Sequence, residues 1–282
     1  MPLIFASIPV LSPVTLLKRY GLRPDKRLGQ NFLLDPQALE SITRSAGIEP
    51  TDAVLEIGAG LGSLTRYLAV SARQVVAVEL DADLLAPLKS VLKPYPNVRV
   101  VQGDILQLSP SELIDQPGYL VVANIPYYIT SAIIRHLLEN EPKPRRIILT
   151  IQKEVAVRIC ASPGDLSLLA LSVQVYGKPG IVEVIPADAF YPSPRVDSAV
   201  LVIDIYPDPL ISPRLLPLFF RLIKAGYAQK RKTLRNSLSA GLHISPSEAE
   251  ALLNQIEIDP QRRAETLSIA EWDRLARTVQ TG

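Results

Sequence analysis

Short apolar runs alternate with longer stretches of helical period through the first half of the chain. Ala53-Val54-Leu55-Glu56-Ile57, Val75-Val76-Ala77-Val78-Glu79 and Val98-Arg99-Val100-Val101-Gln102 are runs of this kind, as are Tyr119 to Asn124 and Arg146 to Ile151. Runs this brief, rich in valine and isoleucine, are buried strands. Helix-length segments separate them, the clearest from Pro36 to Ala46 and from Ser63 to Val70, with a shorter one around Ser12 to Tyr20. Strand and helix in alternation predict a doubly wound, mainly parallel α/β sheet whose ligands lie at the carboxyl ends of the strands. Val173 to Tyr176, Ile181 to Val184 and Ala199 to Ile205 read as later strands added antiparallel, and Pro207 to Pro217 reads as a linker to a helical tail. The expected division is therefore a sheet domain over 1–206 and a smaller helical domain over 207–282.

What stands at those strand ends carries the chemistry. The first run breaks into Gly58-Ala59-Gly60-Leu61-Gly62, the second ends on Glu79, the third on Gly103-Asp104, and the fourth on Asn124-Ile125-Pro126-Tyr127. Glu79 lies about 20 residues past the glycine loop, where a carboxylate can accept from ribose hydroxyls. A dinucleotide fingerprint would place glycine at position 63, which is Ser63, and there is no G-x-x-x-x-G-K-[ST] run. A cofactor without a pyrophosphate needs glycines only so that the backbone can pass close beneath it, and S-adenosylmethionine (SAM) is the candidate. In that reading the loop lies against its methionine part, Glu79 holds the ribose and Asp104 accepts from the adenine amine. Alone, either acid reads equally as an exposed strand-end residue. Asn-Ile-Pro-Tyr alone also has two readings: a turn with packing tyrosines, or an amide, backbone carbonyls and a ring set to hold a flat, amine-bearing ring.

Composition changes the picture in a few places. The formal net charge over 282 residues is only +2, so any nucleic-acid role rests on where the basic residues lie. Lys18, Arg19, Arg23, Lys26 and Arg27, opposed only by Asp25, run into Leu28-Gly29-Gln30-Asn31-Phe32-Leu33-Leu34-Asp35. That run is either a solvated face or a place where phosphate and ligand meet. Arg221, Lys224, Lys230, Arg231, Lys232 and Arg235 follow one another with no acid between them and read as a basic helix that binds phosphates without reading sequence. Lys143, Arg145 and Arg146 could extend that surface, whereas Tyr227 and Trp272 read as core residues of the tail. One cysteine, Cys160, and two histidines, His136 and His243, exclude an intramolecular disulfide and a soft-ligand zinc site, so no metal is expected. The apolar start is broken by Pro2, Pro9 and Pro13 and lacks the basic beginning of a secretory signal. No run approaches the roughly 18 apolar residues of a membrane span, and a cytoplasmic protein is expected.

Taken together, these segments resemble one family. Arg27-Leu28-Gly29-Gln30-Asn31-Phe32-Leu33, Leu55-Glu56-Ile57-Gly58-Ala59-Gly60-Leu61-Gly62, Val78-Glu79-Leu80-Asp81, Gly103-Asp104 and Asn124-Ile125-Pro126-Tyr127 occur in the order seen in the rRNA adenine N6-dimethyltransferases. The likeness continues through Gln152-Lys153-Glu154-Val155-Ala156, Phe190-Tyr191-Pro192-Ser193-Pro194-Arg195-Val196-Asp197-Ser198-Ala199-Val200, Gln229 to Leu238 and Arg263 to Ser268. It covers nearly the whole chain and is strongest toward the small-subunit, 16S-type dimethyladenosine transferases. Ala59 stands where proline is common and Ile125 where leucine is frequent, and Ser162 to Ser167 lacks the Tyr-Gly-Arg often found there.

The resemblance implies a Rossmann-like class I SAM-dependent methyltransferase sheet with a smaller C-terminal helical domain. It implies SAM contacts from Gln30, Asn31, Leu33, Gly58, Gly60, Glu79, Asp104 and Asn124. The target adenine is expected against Asn124, Ile125, Pro126 and Tyr127, with Phe190 on its other face. The implied substrate is ribosomal RNA in the small subunit or its precursor, where two adjacent adenosines each receive two methyls, and a monomer with no membrane attachment is expected. Two rivals stand beside this reading. One is a large-subunit, resistance-type methyltransferase, against which the segments 152–156 and 196–200 speak. The other is a non-catalytic nucleic-acid-binding relative, such as the mitochondrial transcription factors of this fold, against which the intact glycine loop and Asn-Ile-Pro-Tyr speak.

Overall fold

Why the chain forms these elements is visible at their ends. The computed structural model describes residue 5 and residues 8–229 and 231–281. In it α1 (Pro13–Arg19) starts where the Ser12 hydroxyl accepts the Thr15 N–H, and β1 is the two-residue strand Phe32–Leu33. Helix α2 (Pro36–Ala46) is capped by the Asp35 carboxylate, carries proline in its first turn and stops at Gly47 in the left-handed region. Then follow β2 (Ala53–Ile57), α3 (Ser63–Ser71), β3 (Gln74–Glu79), α4 (Leu85–Leu92), β4 (Val98–Gln102), α5 (Pro110–Leu113), β5 (Leu120–Asn124), α6 (Thr130–Glu139) and β6 (Arg146–Gln152). The chain continues through α7 (Lys153–Ile159), α8 (Leu168–Gln174), β7 (Gly177–Ile185), β8 (Phe190–Tyr191) and β9 (Ser198–Ile205), and closes with α9 (Leu216–Tyr227), α10 (Leu234–Leu242), α11 (Pro246–Gln255) and α12 (Ile269–Thr281).

Seven strands form one sheet in the order β4-β3-β2-β5-β6-β9-β7. Strands β2 to β6 pair in parallel, and β9 runs antiparallel to β6 from Gln152↔Ser198 to Arg146↔Asp204. The order reverses between β2 and β5, so the chain leaves those two strands in opposite directions and opens a crevice at their carboxyl ends. A separate two-stranded ribbon pairs β1 with β8, Leu33 opposite Phe190. On one face of the large sheet, Leu39 and Ile42 of α2 and Leu64 and Leu68 of α3 bury against Val54, Val75, Leu120 and Val122. Each such side chain contributes roughly 1.5–3 kcal/mol, which fixes the strands that deliver the site.

The contacts divide the chain into two compact units, one formed by the chain up to Ala156 with Pro179–Ile205, the other by Val157–Lys178 with the chain from Tyr206 onward. Residues 157–178, expected within the sheet domain, thus belong with the tail. Their strand expectation is also corrected. Val173 ends a helix rather than opening a strand, because the Ser167 hydroxyl caps Ala170 N–H and Ala170, Leu171 and Val173 fall on one buried helical face. In the second unit Trp272 is fully buried, its ring 6.4 Å from that of Tyr227, whose hydroxyl donates to the Leu166 carbonyl. Gly226 makes room for it, since a Cβ there would sit 2.5 Å from the indole.

The expected basic helix is broken. Arg221 and Lys224 lie exposed on α9, Arg231 and Lys232 are exposed in the turn between helices, and Arg235 lies in the first turn of α10. Lys230 lies outside the described residues. Ala228 and Gln229 on one side and Arg231 to Thr233 on the other offer no large apolar side chain to bury, so packing does not support helix at these described residues. Arg235 is half committed, its guanidinium 3.0 Å from the Glu250 carboxylate. Among the described residues no helix is long and apolar enough to cross a membrane, and no group of three or more His, Cys, Asp or Glu side chains is placed to hold a metal ion.

Candidate active site

A cleft holding about 1080 Å³ of space free of protein atoms, part of it open to solvent, lies at the carboxyl ends of β2, β3 and β5. Its wall includes Gln30, Asn31, Leu33, Gly58, Gly60, Glu79, Asp104, Asn124, Ile125, Pro126 and Tyr127. The structure thus brings these eleven sequence-derived positions to one place. Phe190 is elsewhere: it is only 3% exposed, paired with Leu33 and packed in the core, and it is not part of the cleft wall.

The glycine loop is shaped by two demands. Gly58 and Gly60 adopt φ values of 75° and 58°, which favour glycine, and a Cβ on Gly60 would press to 3.2 Å from the Phe32 ring. With the backbone so placed, the Gly60 N–H donates to Glu79 Oε2 at 2.6 Å, and the Asp81 N–H donates to Glu79 Oε1 at 2.8 Å. Glu79 is therefore a buried acceptor with each oxygen aligned by one backbone donor. Burial pushes its carboxyl above the usual range, against those two N–H groups. Beside it sits Glu56, 1% exposed, with Oε2 lacking any hydrogen-bond partner. Burial pushes that carboxyl up to about 8, the Thr65 hydroxyl opposing and the Glu79 charge adding to it. Asp104 accepts the Leu106 N–H at 3.0 Å and the Gln107 side chain at 3.2 Å.

The opposite wall comes from the loop before β1. Gln30 is used at both ends: its oxygen accepts the Asp25 N–H at 2.8 Å and its nitrogen donates to Asp81 Oδ2 at 2.6 Å. It braces the loop against the end of β3. The Asn31 carbonyl accepts from Asn124 Nδ2 at 3.0 Å, and the Asn31 amide donates to the Gly29 carbonyl at 3.1 Å. With its nitrogen committed, Asn124 keeps Oδ1 as an acceptor. The Pro126 carbonyl already takes the Ile129 N–H at 3.3 Å, which leaves the Ile125 carbonyl the less committed of the two. Tyr127 pairs its hydroxyl with Ser198 Oγ at 2.7 Å, and its carbonyl accepts from the Thr130 hydroxyl at 3.1 Å. Burial pushes its phenol up, the Ser198 bond opposing.

Two wall residues escaped the sequence reading of the site. Glu56 is an acid in the middle of an apolar strand, and that break in the pattern is the signal for it. Tyr128 is 63% exposed and lines the cleft, with the backbone of Gly29 close against its ring. The wall carries three carboxyls, Glu56, Glu79 and Asp104, and no Lys, Arg or His. Such a set of acceptors, with no cation beside it, does not suit a pyrophosphate and fits a ligand bearing hydroxyls and an amine.

The chain is similar to known proteins over nearly its whole length. The family described as ribosomal RNA adenine dimethylase matches residues 22–281. A protein of Dehalococcoides mccartyi named ribosomal RNA small subunit methyltransferase A is 47% identical over 279 residues, 98% of this chain and 96% of that one. Its namesake from Alkaliphilus metalliredigens is 40% identical over 271 residues, 94% of each. Among solved structures, the 23S rRNA methyltransferase ErmE superposes with a TM-score of 0.70 at 30% identity, over 88% of this chain and 99% of that one. A dimethyladenosine transferase from Plasmodium falciparum superposes with a TM-score of 0.76 at 24% identity, over 89% and 98%, a likeness of fold.

Proposed function

Because the chain belongs to the ribosomal RNA adenine dimethylase family, we propose that it carries two methyl groups to N6 of each of two adjacent adenosines in the RNA of the small ribosomal subunit. The observation that carries this is Asn124, locked by the Asn31 carbonyl so that its free oxygen remains an acceptor on the cleft wall. The small subunit is favoured over the large because the relatives named for it are 47% identical, against 30% for ErmE.

SAM supplies, when bound, an electrophilic methyl on a sulfonium. Glu79 would hold its ribose hydroxyls and Asp104 its adenine amine, with Gly58, Gly60 and Leu33 lining its path, Asn31 beside it and Gln30 bracing the loop. Glu56, the orphaned carboxyl, would take a hydrogen bond from its ammonium. The adenine amine is a poor nucleophile because its lone pair is conjugated with the ring. Asn124 Oδ1 and the Ile125 carbonyl accept its two hydrogens and turn the lone pair out of the ring plane. Pro126, lacking an N–H, adds no competing donor. No strong base is needed, since the amine proton becomes acidic only as the new bond forms. Orientation is the larger effect, on the order of 7–11 kcal/mol in well-aligned reactions. Tyr127 stacks the flipped base for about 1–3 kcal/mol. The exposed Tyr128 ring is placed to receive a neighbouring base, and Phe190 serves through the β1–β8 ribbon that carries Leu33. In the second unit, Arg221, Lys224, Arg231 and Lys232, with Lys230, bind the RNA backbone, and Arg235 contributes less because of Glu250. The proposed setting follows the substrate: a monomer acting in the cytoplasm.

The test is to incubate the protein with labelled SAM and separated small and large ribosomal subunits and to map the label. Label on two adjacent small-subunit adenines supports the proposal. Label on the large subunit alone, or none on either, rejects it.

A further inference from the structure

We propose that Ser198 is a positioning residue for the transfer, fixing the ring of Tyr127 through their hydroxyl–hydroxyl bond. The inference rests on the reading of Tyr127 as the ring that holds the target base. Tyr127 opens a short 3-10 turn, Tyr127–Ile129, just past the end of β5, where no strand pairing restrains it. Two contacts do so instead: the Thr130 hydroxyl holds its carbonyl at 3.1 Å and Ser198 Oγ holds its hydroxyl at 2.7 Å. The first fixes the backbone and the second fixes the far end of the ring. Together they hold the residue at its backbone and at the hydroxyl end of its ring.

Ser198 is suited to be the fixed point. It is fully buried, it is the first residue of β9, and it pairs with Gln152 across the sheet. Its neighbour Asp197 is anchored as well, its carbonyl accepting the Lys153 N–H at 3.0 Å and its carboxylate the Ala187 N–H at 3.2 Å. A buried serine hydroxyl in a strand of apolar residues is costly unless paired, and its partner here is Tyr127. This gives the Tyr127 hydroxyl a task within the protein wall and leaves the face of the ring for the base.

The test compares Tyr127→Phe, Ser198→Ala and the double variant, using small-subunit RNA with 2-aminopurine at the target adenine for binding and unmodified RNA for rates. If the bond positions the ring, each single variant lowers kcat by roughly tenfold with KM for SAM unchanged, and the 2-aminopurine fluorescence change on binding shrinks in parallel. The double variant then loses no more than either single one, as expected for one shared interaction. Ser198→Ala at the unmodified rate overturns the proposal, and so does a double variant whose losses multiply. If Ser198→Ala does not fold, Tyr127→Phe decides: a tenfold loss with a diminished fluorescence change supports it, and full activity overturns it. Failure of the unmodified protein to label the small subunit is a distinct result that removes the functional reading and this inference with it.

Discussion

The side-chain amide of Asn124 donates to the backbone carbonyl of Asn31, 93 residues earlier, at 3.0 Å. The bond joins the end of a central strand to the loop that forms the other wall, and it decides which atom of the amide is left for substrate. Asn124→Ala removes both. Transfer is expected to fall by more than about 10²-fold in single-turnover assays, while RNA affinity by filter binding stays within a few-fold. A parallel loss of RNA affinity would show that Asn124 binds rather than orients.

Glu79 is expected to govern cofactor affinity. Glu79→Gln keeps one acceptor but replaces the other with a donor facing the N–H of Gly60 or Asp81. Calorimetry should show SAM binding weakened by at least roughly tenfold, with RNA binding intact.

Glu56 predicts a pH dependence of stability. Burial pushes its carboxyl up to about 8 in the folded protein, against an ordinary glutamate value of 4.5. Between about pH 5 and pH 8 the native state keeps a proton that the unfolded chain has released, so stability falls as pH rises through that window. Glu56→Gln should flatten the fall, a difference of a few kcal/mol at pH 8, read from melting curves at intervals from pH 5 to 8. An unchanged slope would show that Glu56 is ionised in the native state.

Arg221 and Lys224, exposed on one helix, should act on RNA through charge alone. Replacing both with glutamine is expected to weaken binding similarly for every RNA sequence and to lower the salt slope by about one per residue. A change confined to the target sequence would assign them a reading role.

Gly226→Ala should destabilise the second unit by about 1–3 kcal/mol, because the new methyl meets the Trp272 ring at 2.5 Å. Trp272 is the only tryptophan in the chain, so its fluorescence during urea unfolding reports the change directly.

Much of this was legible in the sequence because the buried strands carry no competing signal. Val54, Val121 and Ile148 sit in apolar runs that can only be core strands, and the structure places them so. The stretch Val173 to Tyr176 misled because four residues, Val-Gln-Val-Tyr, cannot distinguish a strand from the end of a helix; Ser167 and its capping bond held the answer six residues earlier. The cleft positions were visible as breaks at strand ends. Phe190 was not placed by such a break, since its depth depends on a pairing with Leu33 across 157 positions of chain. Tyr128 was hidden beside Tyr127, as adjacent residues in a tight turn face different surroundings and sequence does not say which ring turns outward.

The bonds from Asp25 to Gln30, Gln30 to Asp81, Asp81 to Glu79 and Glu79 to Gly60 form an unbroken series. Its consequence is preorganisation: the two walls are held at a set separation before any ligand arrives. Little ordering entropy remains to be lost on binding, and the interaction energy can go to alignment. The same linkage ties Asp25, within the basic segment, to Glu79, so the loop and the buried acceptor are positioned together.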